Sequence, residues 1–259
     1  MIKGIDVSHW QNDKSTPQRM NFKKAVAQGV KFVFIKVSER GSIDRDFEYN
    51  WAAAKEAGLL RGGYHFLRWD ISGLMQARIF CDIMKDDPGE LPPVADYEAP
   101  KLIRPGKGPL YPSNALLEQF LLEVETREGR IPILYTSPGY WKTCGKNKHT
   151  GKIDQKWERY PLWEAHYTKA QQPMAMEPWG KNWTFWQWTA TGDGIAHGAE
   201  SKGLDINWFN GTLPELHAFA GNPALGPAPA PGPTPDPTLP SNVEKRLLKL
   251  ENWIKSYGA

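Results

Sequence analysis

Cysteine is nearly absent from this chain: Cys81 and Cys144 are the two in 259 residues. Two thiols cannot supply a disulfide framework or a zinc-ligand cluster. The six histidines show no metal-type spacing, so neither a metal nor an organic cofactor is expected. No apolar run approaches the length of a membrane span, and stable membrane association is not expected. The start, MIKGIDVSHW, lacks the basic and apolar regions of a secretion signal and reads as a first strand. Neither sign of charge dominates, with 32 basic and 29 acidic residues. A net charge of +3 without a basic stripe argues against a nucleic-acid partner.

Tryptophan is what the chain has in excess, with 12. Rings of that size fill cores, and they also stack on the apolar faces of sugars. The length suits one large domain, or a domain with an appendage.

The remainder is organised around residues 91–100, LPPVADYEAP. Prolines bracket a short apolar run that leads into Asp96 and Glu98, and proline is tolerated at strand entrances but not inside a ladder. In an extended strand Val94, Asp96 and Glu98 share a face, with the two acids roughly 6.5–7 Å apart at their α-carbons. Two charges about 6 Å apart at an effective dielectric near 20 repel by roughly 2.8 kcal/mol. That is about two pKa units, enough to hold one proton near neutral pH. A protonated acid beside an ionised partner is the requirement of glycoside hydrolysis. An Asp-x-Glu pair on a solvated loop would look the same in isolation, so the context decides.

Taken in order, residues 2–10 read as a strand and 21–28 as a helix stopped at Gly29. Residues 31–39 read as a strand, 46–57 as a helix, 60–67 as a strand, 72–86 as a helix, and 91–98 as the central strand. An amphipathic helix follows at 113–127, then strands at 131–136, 160–167, 184–188 and 204–208. Residues 143–159, polar and lysine-rich, read as a solvated loop. Early strand–helix alternation predicts a parallel sheet, and eight strands predict closure. The fold class is therefore α/β: an irregular (β/α) barrel of about eight strands, with reduced helices in the last third.

Closure brings the last strand beside the first, so Asp6 and Asp205 should be neighbours. Barrel chemistry sits at the C-terminal ends of strands. Asp6, Asp96, Glu98 and Asp205 would converge there, with Tyr64, Tyr135, Tyr167 and Trp186 available to line a cleft. Each ring alone is better placed in a core; as a set around four carboxyls they suit a sugar.

The pieces Asp6-Val7-Ser8-His9-Trp10-Gln11, residues 62–66 (GGYHF), Asp96-Tyr97-Glu98, 133–135 (ILY), 186–189 (WQWT) and 204–207 (LDIN) resemble glycoside hydrolase family 25, the lysozymes common among bacteriophage endolysins. The resemblance runs in order to about Leu216. It implies hydrolysis of the β-1,4 bond between N-acetylmuramic acid and N-acetylglucosamine in bacterial peptidoglycan. Glu98 would be the general acid and Asp96 the second catalytic carboxylate, orienting a 2-acetamido group that attacks in its own substrate. A direct role for Asp96 as nucleophile or base stays open. Asp6 and Asp205 would tune proton affinities and hold substrate; Tyr64, Tyr135, Tyr167 and Trp186 would be subsite walls. One departure stands out. Similar sequences read Glu-Gly after the second strand, whereas Glu39-Arg40-Gly41 inserts an arginine, which puts a groove role for Glu39 in question.

After a catalytic domain at residues 1–220 comes a linker at 221–241, with eight prolines within 223–240. Residues 242–259 then place Val243, Leu247, Leu250, Ile254 and Tyr257 on a heptad seam, which suits homo-oligomerisation or wall targeting. The expected role is an endolysin made in the host cytoplasm and released to the wall through a holin-type lesion. The competing readings are a chitinase-like N-acetylglucosaminidase and a glycan-binding protein that does not cut.

Overall fold

The computed structural model describes residues 1–12, 19–98 and 111–221. The expected linker and C-terminal helix lie outside the described residues, apart from Gly221.

The strands are β1 (Ile2–Val7), β2 (Phe32–Glu39), β3 (Ser42–Ile43), β4 (Leu60–Phe66), β5 (Val94–Asp96), β6 (Ile133–Thr136), β7 (Leu162–Ala165), β8 (Phe185–Asp193) and β9 (Gly203–Phe209). The helices are α1 (Phe22–Ala27), α2 (Phe47–Glu56), α3 (Gly73–Met84), α4 (Asn114–Glu128), α5 (Pro138–Cys144) and α6 (Leu213–Gly221). Asn21, Ser72, Ser113 and Ser137 open α1, α3, α4 and α5, each accepting a hydrogen bond from the amide three residues on.

The sheet runs β1-β9-β8-β7-β6-β5-β4-β2 and closes through a β1–β2 pairing, with β3 a short hairpin arm on β2. Eight strands therefore make the barrel. From β1 through β2 and β4 to β8 the neighbours are parallel; β9 is antiparallel to both β8 and β1. The early strand–helix alternation accounts for the parallel part, and the reversed β9 departs from it. The cause is the short connection at residues 194–202. A parallel return needs a crossover of a dozen or more residues, whereas a hairpin does not.

Inside the barrel, aromatic rings stack in layers. Phe32, Phe185 and Phe209 form the lower layer, and Phe219 of α6 closes it from below, 5.6 Å from the Phe185 ring. Above them Phe34 stacks on Trp163 at 4.3 Å. These rings fit because β1 and β4 carry glycine opposite them. A Cβ on Gly4 would come within 2.3 Å of the Phe32 ring, and one on Gly62 within 2.6 Å of Phe34. The floor is thus packed solid, and the upper end is left to polar residues.

Outside the barrel a second apolar layer joins the outward residues Val33, Ile35 and Leu134 to Trp51, Phe80, Phe120 and Trp141 of the helices. The segment 143–159 is more ordered than its polarity predicted. Gln155–Arg159 forms a 3-10 turn and Trp157 is buried against Trp141 at 5.7 Å. A single tryptophan in a lysine-rich run anchored it.

Candidate active site

The upper end of the barrel opens into a cleft lined by Asp6, Asp96, Glu98 and Asp205, with Lys36, Tyr64, Phe66, Tyr135, Trp163, Tyr167 and Gln187 around them and Trp10 at the lip. Asp6 lies near the end of β1, Asp96 ends β5, and Glu98 follows two residues on. Asp205 stands near the start of β9, but β9 is reversed, so its start lies at the same rim. The two aspartates are register partners.

The ladder of β5 stops at Asp96, yet the chain stays extended because the Tyr97 amide donates to the Tyr135 carbonyl at 2.9 Å. Alternation therefore continues. Tyr97 turns outward and is buried, its hydroxyl 2.9 Å from the Pro112 carbonyl and 3.1 Å from that of Cys144. Glu98 turns back into the cleft.

Asp6 is held by two amides, Nε2 of Gln187 at 2.9 Å and Nδ2 of Asn207 at 2.8 Å, both donating to Oδ2. The network extends further. The Trp163 indole donates to Asn207 Oδ1 at 2.8 Å, while Tyr135 and Tyr167 donate their hydroxyls to Gln187 Oε1 at 3.0 and 2.8 Å. Every donor in this network is neutral.

Electrostatics follow from burial. Asp6 is pushed up to about 6 by desolvation, opposed by hydrogen bonds from Asn207, Gln187 and Asp205. Asp205 is pushed up to about 9, first by desolvation and then by the charge of Asp6 and of Glu98. At neutral pH the pair holds one proton, carried by Asp205 and shared with Asp6. Asp96 is raised well above the ordinary carboxylate range by desolvation and then by the Glu98 charge, with Lys36 pulling the other way. Among the described residues its Oδ1 is buried with no hydrogen-bond partner, a cost that a ligand N–H would relieve. Tyr64 and Tyr135 are raised well above ordinary phenols by desolvation and the surrounding carboxylates, and remain neutral donors.

Seven of the eight residues expected at the site line the cleft: Asp6, Asp96, Glu98, Asp205, Tyr64, Tyr135 and Tyr167. Trp186 does not. It is buried in the outer layer, its indole donating to the His166 carbonyl at 2.7 Å, beside Trp183. Side chains alternate along β8, and it is Gln187 that faces inward.

Sequence reasoning missed Gln187, Asn207, Trp163, Lys36 and Trp10. Asn207 shares a face with Asp205 by the same two-residue rule that was applied to Asp96 and Glu98, so it was within reach. Trp10 is 73% exposed. The turn at residues 8–11 aims it outward, with Ser8 and Gln11 closing a reciprocal cap. The His9 ring supports it at 4.6 Å and is itself held by Asp44 at 2.6 Å. Glu39 does not line the cleft. It binds Lys36, which does, at 2.7 Å, and Arg68 at 3.1 Å. The inserted Arg40 takes a left-handed backbone, φ 56°, a conformation glycine adopts without strain, and pairs with Asp70. Among the described residues no cluster of three or more His, Cys, Asp or Glu is placed to hold a metal.

Comparison with known proteins gives a consistent result. Residues 5–195 match the family model "Glycosyl hydrolases family 25". Lysozyme M1 of Streptomyces globisporus is 32% identical over 234 residues, covering 86% of this chain and 72% of that protein. The YegX protein of Escherichia coli K12 is 33% identical over 221 residues, covering 84% and 73%. The solved bacterial lysozyme of Streptomyces coelicolor superposes with a TM-score of 0.69 at 30% identity, covering 86% of this chain and 98% of that one. Acids gathered at one barrel rim, a last strand reversed to bring Asp205 among them, and likeness along most of the chain lead to one assignment: this chain belongs to glycosyl hydrolase family 25 and is a glycoside hydrolase.

Proposed function

We propose that the chain is a muramidase that cleaves the β-1,4 bond between N-acetylmuramic acid and N-acetylglucosamine in peptidoglycan, with retention and with help from the substrate's own 2-acetamido group. The observation that carries this reading is the buried Asp96, with an oxygen that has no partner among the described residues, set two residues before Glu98 on one face of the cleft.

The proton balance supports it. Asp96 and Glu98 cannot both ionise cheaply, so the pair holds one proton. Donation from the acetamido N–H to Asp96 Oδ1 favours the Asp96 carboxylate and passes the proton to Glu98. Glu98 then protonates the glycosidic oxygen as the C1–O bond breaks, and the acetamido carbonyl oxygen attacks C1. Asp96 faces the resulting oxazolinium charge. Water attacks C1 from the face the leaving sugar vacated, giving its proton to Glu98, and the anomeric configuration is retained. General acid catalysis of this kind contributes about 10²–10⁴-fold.

The biological role we propose is that of an endolysin, lysing a host cell from within once a holin-type lesion admits it to the wall. Purified Gram-positive walls should lose turbidity and yield new muramic-acid reducing ends after borohydride reduction. New glucosamine ends instead would point to a chitinase-like enzyme, and binding without cutting to a glycan-binding protein. The lytic role is tested by expression with and without a pore-forming membrane protein. Lysis should require both, and lysis by the enzyme alone would remove the proposed route.

A further inference from the structure

Among the described residues that line the cleft, Lys36 is the one cation, and the mechanism above gives it no step. Its residue is 8% exposed. Burying an ammonium costs several kcal/mol unless opposite charge and hydrogen bonds compensate. Its Nζ lies 2.7 Å from Glu39 Oε2 and 5.0 Å from the centre of the Phe66 ring. Arg68 holds the other oxygen of Glu39 at 3.1 Å and covers the same ring at 5.9 Å. Phe66 is in turn the register partner of Asp96. The ammonium is thus fixed from behind by Glu39 and carried over the ring that adjoins the catalytic aspartate. The register of β2 against β4 shifts immediately after Lys36, which marks this as a built position in the strand.

We propose that Lys36 is a positioning residue for the reaction: a fixed positive charge, set by Glu39, that holds Asp96 as the carboxylate which the oxazolinium-forming step needs. This rests on the muramidase reading. A lysine that served Glu39 alone would have no reason to line the cleft, since Arg68 pairs with Glu39 without lining it.

The charged groups around the pair are known from each strand. Asp6 on β1, Glu39 on β2 and Glu98 beyond β5 act on Asp96 together with Lys36, and Asp205 of β9 lines the same cleft. On β4, His65 points to the outer layer between Ser38 and Gln76, pushed down to about 4 by desolvation, and so stays neutral. Of these neighbours, Lys36 is the one that lowers the proton affinity of Asp96, while Glu39 raises it.

The test uses Lys36→Met, Lys36→Arg and Glu39→Gln. The acid limb of kcat/KM reports the Asp96–Glu98 pair taking up its second proton. Lys36→Met should lower kcat more than it raises KM and move that limb up by about one to two pH units. Lys36→Arg should bring it back toward the wild-type position. Glu39→Gln should move it down, in the opposite direction. A uniform loss of activity with an unmoved limb, or displacement of both variants in one direction, would overturn the proposal. Should Lys36→Met fail to fold, the other two decide. A limb near the wild-type position in Lys36→Arg and moved down in Glu39→Gln supports the proposal, and an upward move in Glu39→Gln overturns it. Carboxyl carbon-13 titration of Asp96 reads the same shift without turnover. It therefore separates failure of Lys36 from failure of the muramidase reading, which the wild type's released ends test on their own.

Discussion

Asp6 and Asp205 stand opposite one another on β1 and β9, the two strands that close the barrel, and they share a single proton. In an all-parallel barrel the third residue of the last strand would lie at the opposite end. The reversal of β9 puts it among the acids of the cleft.

That pairing makes Asp205→Asn and Asp6→Asn unequal. Asparagine imitates a protonated carboxyl, which Asp205 already is at neutral pH. Asp205→Asn should keep activity within about tenfold, while Asp6→Asn should lose more, since the Gln187 and Asn207 amides would exchange a charged acceptor for a weaker neutral one. Wild-type activity should fall as pH rises through about 9, where Asp205 ionises beside Asp6. The variant should lack that fall, and a pH–rate profile of the two side by side checks it.

Glu98→Gln should abolish wall lysis by about 10³-fold or more while its melting temperature stays near that of the wild type. Asp96→Asn should be nearly as damaging. Assays on soluble glycan fragments, paired with circular dichroism, separate chemistry from folding. Substantial residual turnover in Glu98→Gln would remove it as the acid.

Trp10→Ala should raise KM for polymeric wall and leave both kcat and stability close to the wild type, because the ring is 73% exposed at the lip of the cleft. A ring stacked on a saccharide is worth about 1–3 kcal/mol, by analogy with stacking on other flat ligands. The expected change is thus about tenfold, measured on long and short glycans.

Glu164 offers a stability test away from the chemistry. It is buried on the outer face of β7, with Oε1 unpartnered among the described residues, and desolvation pushes it up to about 8. Its unfolded value is near 4.3. A raised acid is fully compatible with the fold below the unfolded value and costs stability as pH climbs toward 8. Glu164→Gln should therefore match the wild type near pH 4 and exceed it by about 2–4 kcal/mol above pH 8. Denaturant unfolding at the two pH values checks the sign.

Arg61 is buried under Trp51 and bonded to both Asp87 and Glu90 at 2.8–2.9 Å. Arg61→Met removes the partner of Glu90 and leaves Asp87 with Lys55 alone, and with both acids partly exposed it should cost about 1–3 kcal/mol. Turnover per folded molecule should not change, as the residue lies outside the cleft.

The acids were legible in the sequence because each sits at a strand end, where two-residue alternation fixes its face. Asp96 with Glu98, and Asp6 opposite Asp205, needed only that rule and closure. Strand direction was not legible. Nothing in LDIN tells which way β9 runs; the length of the connection before it does. Trp186 and Gln187 differ by one residue and so by a whole face. Choosing the aromatic put the site on the wrong side of β8. Lys36 was hidden for another reason. A lone lysine in a β-branched run reads as a surface residue, and its partners Glu39 and Arg68 come from two different strand ends.

The glycines under the interior rings have a consequence for divergence. Gly4 and Phe32 occupy one shared volume, as do Gly62 and Phe34. Enlarging the glycine alone overpacks the barrel, and shrinking the phenylalanine alone empties it. Each pair therefore behaves as a single heritable unit: relatives that carry a side chain at position 4 should carry a smaller residue at 32, and a double substitution should recover much of what either single change loses.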